Sequence, residues 1–217
     1  MPETESKIKL ICFDVDGTLV DGISWLFLTR GLGCSSEEHI GIFNRAKCGE
    51  ITFAEGERML TRMYRDSGNA TRVFIENLFA RVRPRPEAKQ LVSYLKKKGY
   101  LVYLISGAID IYVRAIAKRL GADGYFANSS FDFDKSGVLE KIHYRDNQGE
   151  VKVEQLKQLI KARGIRMNEV VFVGDSENDI EIFEATKKGI AVSWASDNLK
   201  EVAWKIINSL GEIKKFL

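Results

Sequence analysis

Four short polar clusters carry side chains able to act on a phosphate ester. The first is Asp14-Val15-Asp16-Gly17-Thr18. Two carboxylates one residue apart can point the same way as a chain leaves a strand. One can attack phosphorus and form an acyl-phosphate, while its neighbour handles the proton of the leaving group. Gly17 permits a tight turn that a Cβ would hinder. The bland alternative is a generic Asp/Gly turn. The second cluster is Ser106-Gly107, where a hydroxyl and a backbone N–H can hold phosphate oxygens. A strand-to-helix turn also uses Ser and Gly for purely structural reasons. The third is Lys152, after Gly149-Glu150, whose ammonium can neutralise phosphate charge. In a chain with 33 Lys and Arg, a surface lysine is the ordinary alternative. The fourth is Gly174-Asp175-Ser176-Glu177-Asn178-Asp179. Its carboxylates suit Mg²⁺, a hard ion that keeps waters and binds through a few carboxylates plus substrate phosphate. Asp175 or Ser176 can also cap a helix N-terminus, where acids are favoured. The two roles are compatible.

The elements that must position these clusters are short apolar runs. Leu10–Phe13 precedes Asp14, Leu101–Ile105 precedes Ser106, Val170–Val173 precedes Gly174, and Ile190–Val192 precedes Ser193. Tyr125–Ala127 adds a shorter one. Continuous apolar runs without alternation suit strands buried on both faces, as in parallel sheets. Between them, Pro86–Lys98, Ile109–Leu120, Val153–Arg163 and Ile180–Lys188 carry helical periodicity, each followed closely by Gly. The expected fold is α/β, a doubly wound and mainly parallel sheet. Ligands in such sheets bind beyond the carboxyl ends of the strands, so the four clusters could converge.

Residues 20–84 break the rhythm. The segment reads as helical and is far too long for a normal βα connection of roughly 2–6 residues. We expect an inserted helical cap over residues 20–84, with a core built from residues 1–19 and 85–217. Arg83-Pro84-Arg85-Pro86 marks a stiff return to that core. Phe131–Tyr144, with Asp134-Lys135-Ser136-Gly137 inside it, reads as a β-hairpin.

Composition narrows the function further. Thirty-three basic residues nearly balance 30 acidic ones, for a net charge of +3. The basic residues are dispersed, so nucleic-acid binding is not expected. No apolar run approaches the roughly 18–20 residues needed to span a bilayer. The polar stretch Met1–Lys9 lacks a secretory apolar core. The three cysteines contain no Cys-x-x-Cys pair, and Cys12 sits in an apolar run. A reducing, cytoplasmic setting is expected. Only two histidines are present, which excludes a multi-histidine metal site.

Taken together, in order and each after an apolar run, the four clusters closely resemble the motifs of the haloacid dehalogenase superfamily. The match runs from Leu10 to about Val192 and is similar to phosphoserine phosphatases in particular. That resemblance implies a Mg²⁺-dependent phosphatase acting on a small phosphorylated metabolite. Asp14 would be the nucleophile, and Asp16 the general acid and then base. Asp14, Asp16 through its backbone carbonyl, and Asp175 would hold Mg²⁺, with Asp179 as a further metal-site residue or an orienter of Lys152. Thr18, Ser106, the Gly107 amide, Lys152 and Asn178 would hold the phosphoryl group.

The resemblance stops in the cap. Phosphoserine phosphatases place a glutamate soon after the first motif for the substrate ammonium, and here Ile23 holds that place. A cap arginine grips the substrate carboxylate, and alignment through Gly49–Phe53 puts Leu60 there, with Arg58 and Arg62 nearby as substitutes. The expected substrate is therefore a phosphorylated alcohol, polyol or carboxylic acid without an amine, not phosphoserine. Trp25, Phe27 and Phe53 are expected to pack within the cap. Alternatives are a phosphoserine phosphatase, a phosphomutase, or a non-catalytic phospho-acceptor protein. A dehalogenase generally lacks the second aspartate, and Asp16 is present.

Overall fold

The structure, a computed structural model, describes residues 7–217. Residues 1–6, which belong to the polar N-terminal stretch and to the expected core segment 1–19, lie outside the described residues.

The apolar runs become the strands of one seven-stranded sheet. The strands are β1 (Leu10–Phe13), β2 (Leu101–Ile109), β3 (Gly124–Phe133), β4 (Leu139–Tyr144), β5 (Val170–Gly174), β6 (Gly189–Val192) and β7 (Lys205–Ile207). Their order is β4-β3-β2-β1-β5-β6-β7, parallel except for the β3–β4 pair. All residues of β1, β5 and β6 are buried, as expected for strands covered on both faces. The chain moves outward from β1 through β2 to β3, then returns to the other side of β1 for β5. That reversal opens a crevice at the carboxyl ends of β1 and β5.

The core helices are α5 (Pro86–Lys97), α6 (Asp110–Leu120), α7 (Gln148–Arg163), α8 (Ile180–Thr186) and the short α9 (Asp197–Glu201). Residues inserted before α5 form four helices, α1 (Ser24–Gly31), α2 (Ser36–Lys47), α3 (Phe53–Asp66) and α4 (Arg72–Phe79). Local chemistry sets their starts. Ser35 and Thr71 accept from the amides of Glu38 and Phe74, and Thr52 with Glu55 forms a reciprocal capping box. The inserted helices leave and rejoin the core at one neck, where the Arg85 amide donates to the Leu19 carbonyl at 2.8 Å.

Three expectations change. The turn expected at Ser106 is absent, because β2 stays extended to Ile109. Instead its register against β3 shifts between Ser106 and Ile109. Tyr125–Ala127 and the first arm of the hairpin are one long strand, β3, which pairs parallel to β2 and then antiparallel to β4. Finally α7 begins at Gln148, one turn before the expected start, which places Lys152 on its buried face.

Candidate active site

The four clusters converge at the crevice. Asp14 directly follows β1, and its amide donates to the Val173 carbonyl of β5 at 2.9 Å, which brings the first and fourth clusters side by side. Gly17 turns the chain away with φ +72°, and a Cβ there would collide with the Asp175 carboxylate. The position therefore demands glycine twice, for backbone conformation and for space. Thr18 Oγ1 donates to Asp175 Oδ1 at 2.9 Å and ties the two loops together.

Asp14, Asp175 and Asp179 offer carboxylate oxygens that all lie within 4.8 Å of one another. Asp14 Oδ1 is buried and accepts no hydrogen bond. Like-charged oxygens packed this closely need a cation between them, and an all-oxygen donor set suits Mg²⁺. The residues present thus fit the metal. Burial first, and then the charge of Asp14, raises the pKa of Asp175 and Asp179.

Lys152 supplies one cation. It is fully buried, and its Nζ donates to Asp179 Oδ1 at 2.6 Å and Asn178 Oδ1 at 2.5 Å. The same Nζ lies 3.4 Å from Asp14 Oδ1, an ion pair without a formed hydrogen bond. Burial opposes its charge, but Asp14 and Asp179 outweigh burial and push its pKa up to about 12. Asp179 is itself held in place, with Oδ2 accepting from the amides of Asp175 and Ser176 at 3.1 and 3.3 Å.

Asp16 sits in a different environment. Oδ2 accepts from the Ser24 amide at 2.8 Å and the Ser24 hydroxyl at 2.6 Å, while Oδ1 is buried without a partner. Burial raises its pKa to about 6, against the lowering effect of the Ser24 bonds. A carboxyl poised near neutrality can both give and take a proton.

Ser106 and Gly107 line the same cavity as Asp14 and Asp16. The Ser106 hydroxyl accepts from the Ala108 amide at 3.3 Å. At Gly107 a Cβ would strike Gln148 Oε1, and that oxygen is fixed by Asn128 Nδ2 at 2.8 Å. All of Asp14, Asp16, Thr18, Ser106, Gly107, Lys152, Asp175, Asn178 and Asp179 therefore belong to one cluster.

Sequence reasoning missed several neighbours. Ser24 bonds to Asp16 but has no motif. Arg85, read only as part of a stiff return, donates to the carbonyls of Gly17 and Thr18 at 3.2 and 3.0 Å and pairs with Asp21 at 2.6 Å. Its guanidinium lies over the Trp194 ring, 4.3 Å from the centroid, and Trp194 Nε1 donates to Gly17 O at 2.8 Å. Trp194 is 177 positions from Gly17, so no local pattern points to it.

Beyond the carboxylates the cavity, of about 470 Å³, opens between the inserted helices and β4. Ile23 and Leu60 both line it. Arg58 and Arg62 do not: they flank a separate hollow with Asp132, Glu140 and Lys141, between α3 and the β3–β4 hairpin. The expectation that either arginine contacts an acid group on the substrate is corrected accordingly. Trp25 and Phe53 line the cavity, whereas Phe27 stacks on Phe79 with ring centroids 6.3 Å apart. Thus Phe27 packs as expected, while Trp25 and Phe53 also face open space.

Comparison with known proteins follows the same lines. A family model described as a haloacid dehalogenase-like hydrolase matches residues 8–187. The phosphoserine phosphatase of Methanocaldococcus jannaschii is 33% identical over 98% of this chain and 99% of its own length. That of Lactococcus lactis subsp. lactis is 32% identical over 84% of this chain and 82% of its own. A solved structure described as a phospho-aspartyl intermediate analogue of phosphoserine phosphatase has a TM-score of 0.74 and 30% identity, covering 98% of this chain and all of that one.

Proposed function

The chain belongs to the haloacid dehalogenase-like hydrolases and is a phosphoric monoester hydrolase, and we propose that it works through a phospho-aspartate on Asp14 with an ester other than phosphoserine. An oxygen of the Asp14 carboxylate attacks phosphorus. Asp16 Oδ1 then gives its proton to the leaving oxygen and later takes one from the water that cleaves the acyl-phosphate. Ser24 holds Asp16 in position through its other oxygen. Thr18, Ser106, the Gly107 amide, Lys152 and Asn178 orient the phosphoryl oxygens, and Lys152 offsets their charge. Asp14, the Asp16 carbonyl and Asp175 would hold Mg²⁺, with Asp179 keeping Lys152 in place. When bound, the metal supplies charge neutralisation for the phosphoryl group.

The observation against phosphoserine is the cavity wall. No lysine or arginine lines it among the described residues, so a serine carboxylate would meet no cation. Glu57, the one acid that the inserted helices place there, would repel that carboxylate, and its Oε1 already accepts from the Tyr144 amide at 2.6 Å. Burying a charge without a partner costs several kcal/mol. A second reading, phosphoserine hydrolysis, is favoured by the relatives' names. Steady-state kinetics decides between them. A kcat/KM for L-phosphoserine at least about tenfold above those of amine-free esters, a gap of about 1.4 kcal/mol, would establish the second reading.

Residues 20–84 act in this proposal as a cap that excludes water from the reaction. The Glu57–Tyr144 contact joins it to β4. Hydrogen exchange in α1 and α3 should slow when a phosphate analogue binds, and unchanged exchange would argue for a fixed lid.

A further inference from the structure

The phosphoryl site continues into an apolar chamber, and the two form one cavity. Cavities of roughly 300–1,000 Å³ hold drug-sized ligands, and this one, at about 470 Å³, falls within that range. Its far wall is aromatic. Tyr144 stands at the centre, stacked on Phe53 with centroids 5.7 Å apart at 19°. Phe43 and Trp25 meet the same ring edge-on at 6.4 and 6.2 Å. The Glu57 carboxylate holds the Tyr144 backbone, so the wall is anchored to α3.

Three of the large apolar side chains most open to solvent, Ile23, Ile40 and Phe43, gather at this one cavity, with exposures of 55%, 43% and 39%. Scattered exposed apolar residues need no explanation, but a cluster rimming a catalytic crevice marks a binding surface. The polar side chains at this wall are already engaged: Glu57 Oε1 accepts from the Tyr144 amide, Gln148 Oε1 accepts from Asn128, and His39 Nδ1 lies against Thr29 and Tyr64, so the hydroxyls of a polyol would compete with existing bonds. A buried hydroxyl without a partner costs about as much as a lost hydrogen bond.

We propose that the natural leaving group is a bulky, uncharged, predominantly apolar alcohol, aromatic or branched, seated against Phe53 and Tyr144. This rests on the phosphatase reading above and narrows it. Ile23 and Leu60 then serve the substrate body, as apolar walls in the places where a charged clamp would otherwise stand.

The test compares alkyl phosphates whose leaving alkoxides are chemically alike, so that only binding differs. Ethyl phosphate, 2-phenylethyl phosphate, glycerol phosphate and L-phosphoserine are each assayed with Mg²⁺. The kcat/KM for 2-phenylethyl phosphate should exceed that for ethyl phosphate by about tenfold to a hundredfold, the effect of burying a phenyl-sized group. The ratio of the two should fall in Phe53→Ala, and fall further in Ile23→Glu/Leu60→Arg. The wild-type comparison needs no variant to fold. Ratios within about threefold of unity, or glycerol phosphate or phosphoserine as the better substrate, overturn the inference while leaving a Mg²⁺- and Asp14-dependent phosphatase intact. Absence of hydrolysis of every ester, or hydrolysis that persists in Asp14→Asn, overturns the phosphatase mechanism and the inference with it.

Discussion

Replacing Lys152 by Met keeps most of the side-chain volume and removes one charge. In the native arrangement the ammonium is fully buried, bonded to Asp179 and Asn178, and 3.4 Å from Asp14 Oδ1. Its pKa of about 12 shows attraction by Asp14 and Asp179 exceeding the cost of burial. Without it, Asp14, Asp175 and Asp179 face one another across less than 4.8 Å with no internal counterion. Breaking a buried pair by removing one partner costs about 3–5 kcal/mol. For a chain of this size, at about 2–4 °C per kcal/mol, the melting temperature in the presence of a chelator should drop by roughly 6–20 °C. The deficit depends on pH in a definite direction. The pKa values of Asp175 and Asp179 are already raised, and loss of the ammonium raises them further. A group whose folded pKa lies above its unfolded value favours the folded state at low pH and loses that contribution as pH rises through the folded pKa. The deficit should therefore widen as pH is raised from the acid side through neutrality. Added Mg²⁺ should recover more stability in the variant than in the native protein. Calorimetric melting across pH, with and without Mg²⁺, measures all three. A variant that melts within about 2 °C of the native protein in chelator at all pH values would refute the electrostatic account.

Other outcomes follow from the same geometry. Asp16→Asn should keep its affinity for Mg²⁺ while turning over about 10²–10⁴-fold more slowly; a metal titration beside steady-state assays separates these, and normal turnover would remove Asp16 from proton transfer. Gly17→Ala puts a Cβ into the Asp175 carboxylate at φ +72°, adding backbone strain of roughly 1–2 kcal/mol; the Mg²⁺ concentration for half-maximal activity should rise at least about tenfold, which is 1.4 kcal/mol, and an unchanged requirement would show Asp175 to be dispensable. His39, buried with Nδ1 near Thr29 Oγ1 and Tyr64 Oη, has its pKa lowered by burial from 6.5 to about 4. The unfolded chain binds the proton first, so stability should rise with pH between about 4 and 6.5 and then level off, by up to about 3 kcal/mol; denaturant melts should show a flatter profile in His39→Gln, and an identical profile would assign the slope to other groups.

The sheet and its crevice were legible because buried parallel strands leave unbroken apolar runs, as at Leu10–Phe13 and Val170–Val173, and because each run ends in a polar cluster. Lys152 shows why combination matters. Alone it looked like any surface lysine, yet it is fully buried at the centre of the site. The extension of β2 through Ile109 was not legible, since Ser106-Gly107 carries a strong turn signal and only its pairing with β3 keeps that stretch extended. Nor were Arg85 and Trp194, whose hold on Gly17 is a tertiary contact between distant segments. Ile23 and Leu60 were found by position relative to the motifs, and both line the cavity. Arg58 and Arg62 could not be separated from Leu60 by sequence alone, because a helix rotates about 100° per residue and close neighbours on α3 face opposite ways.

The most direct measurement is the site of phosphorylation during turnover. The Asp16→Asn variant, in which hydrolysis of the acyl-phosphate should be slowed, is mixed with substrate and Mg²⁺, quenched in acid and mapped by mass spectrometry. The account predicts a hydroxylamine-labile phosphate on Asp14 and none in an Asp14→Asn background. Phosphate found on another residue, or inorganic phosphate released at the native rate by Asp14→Asn, would contradict it.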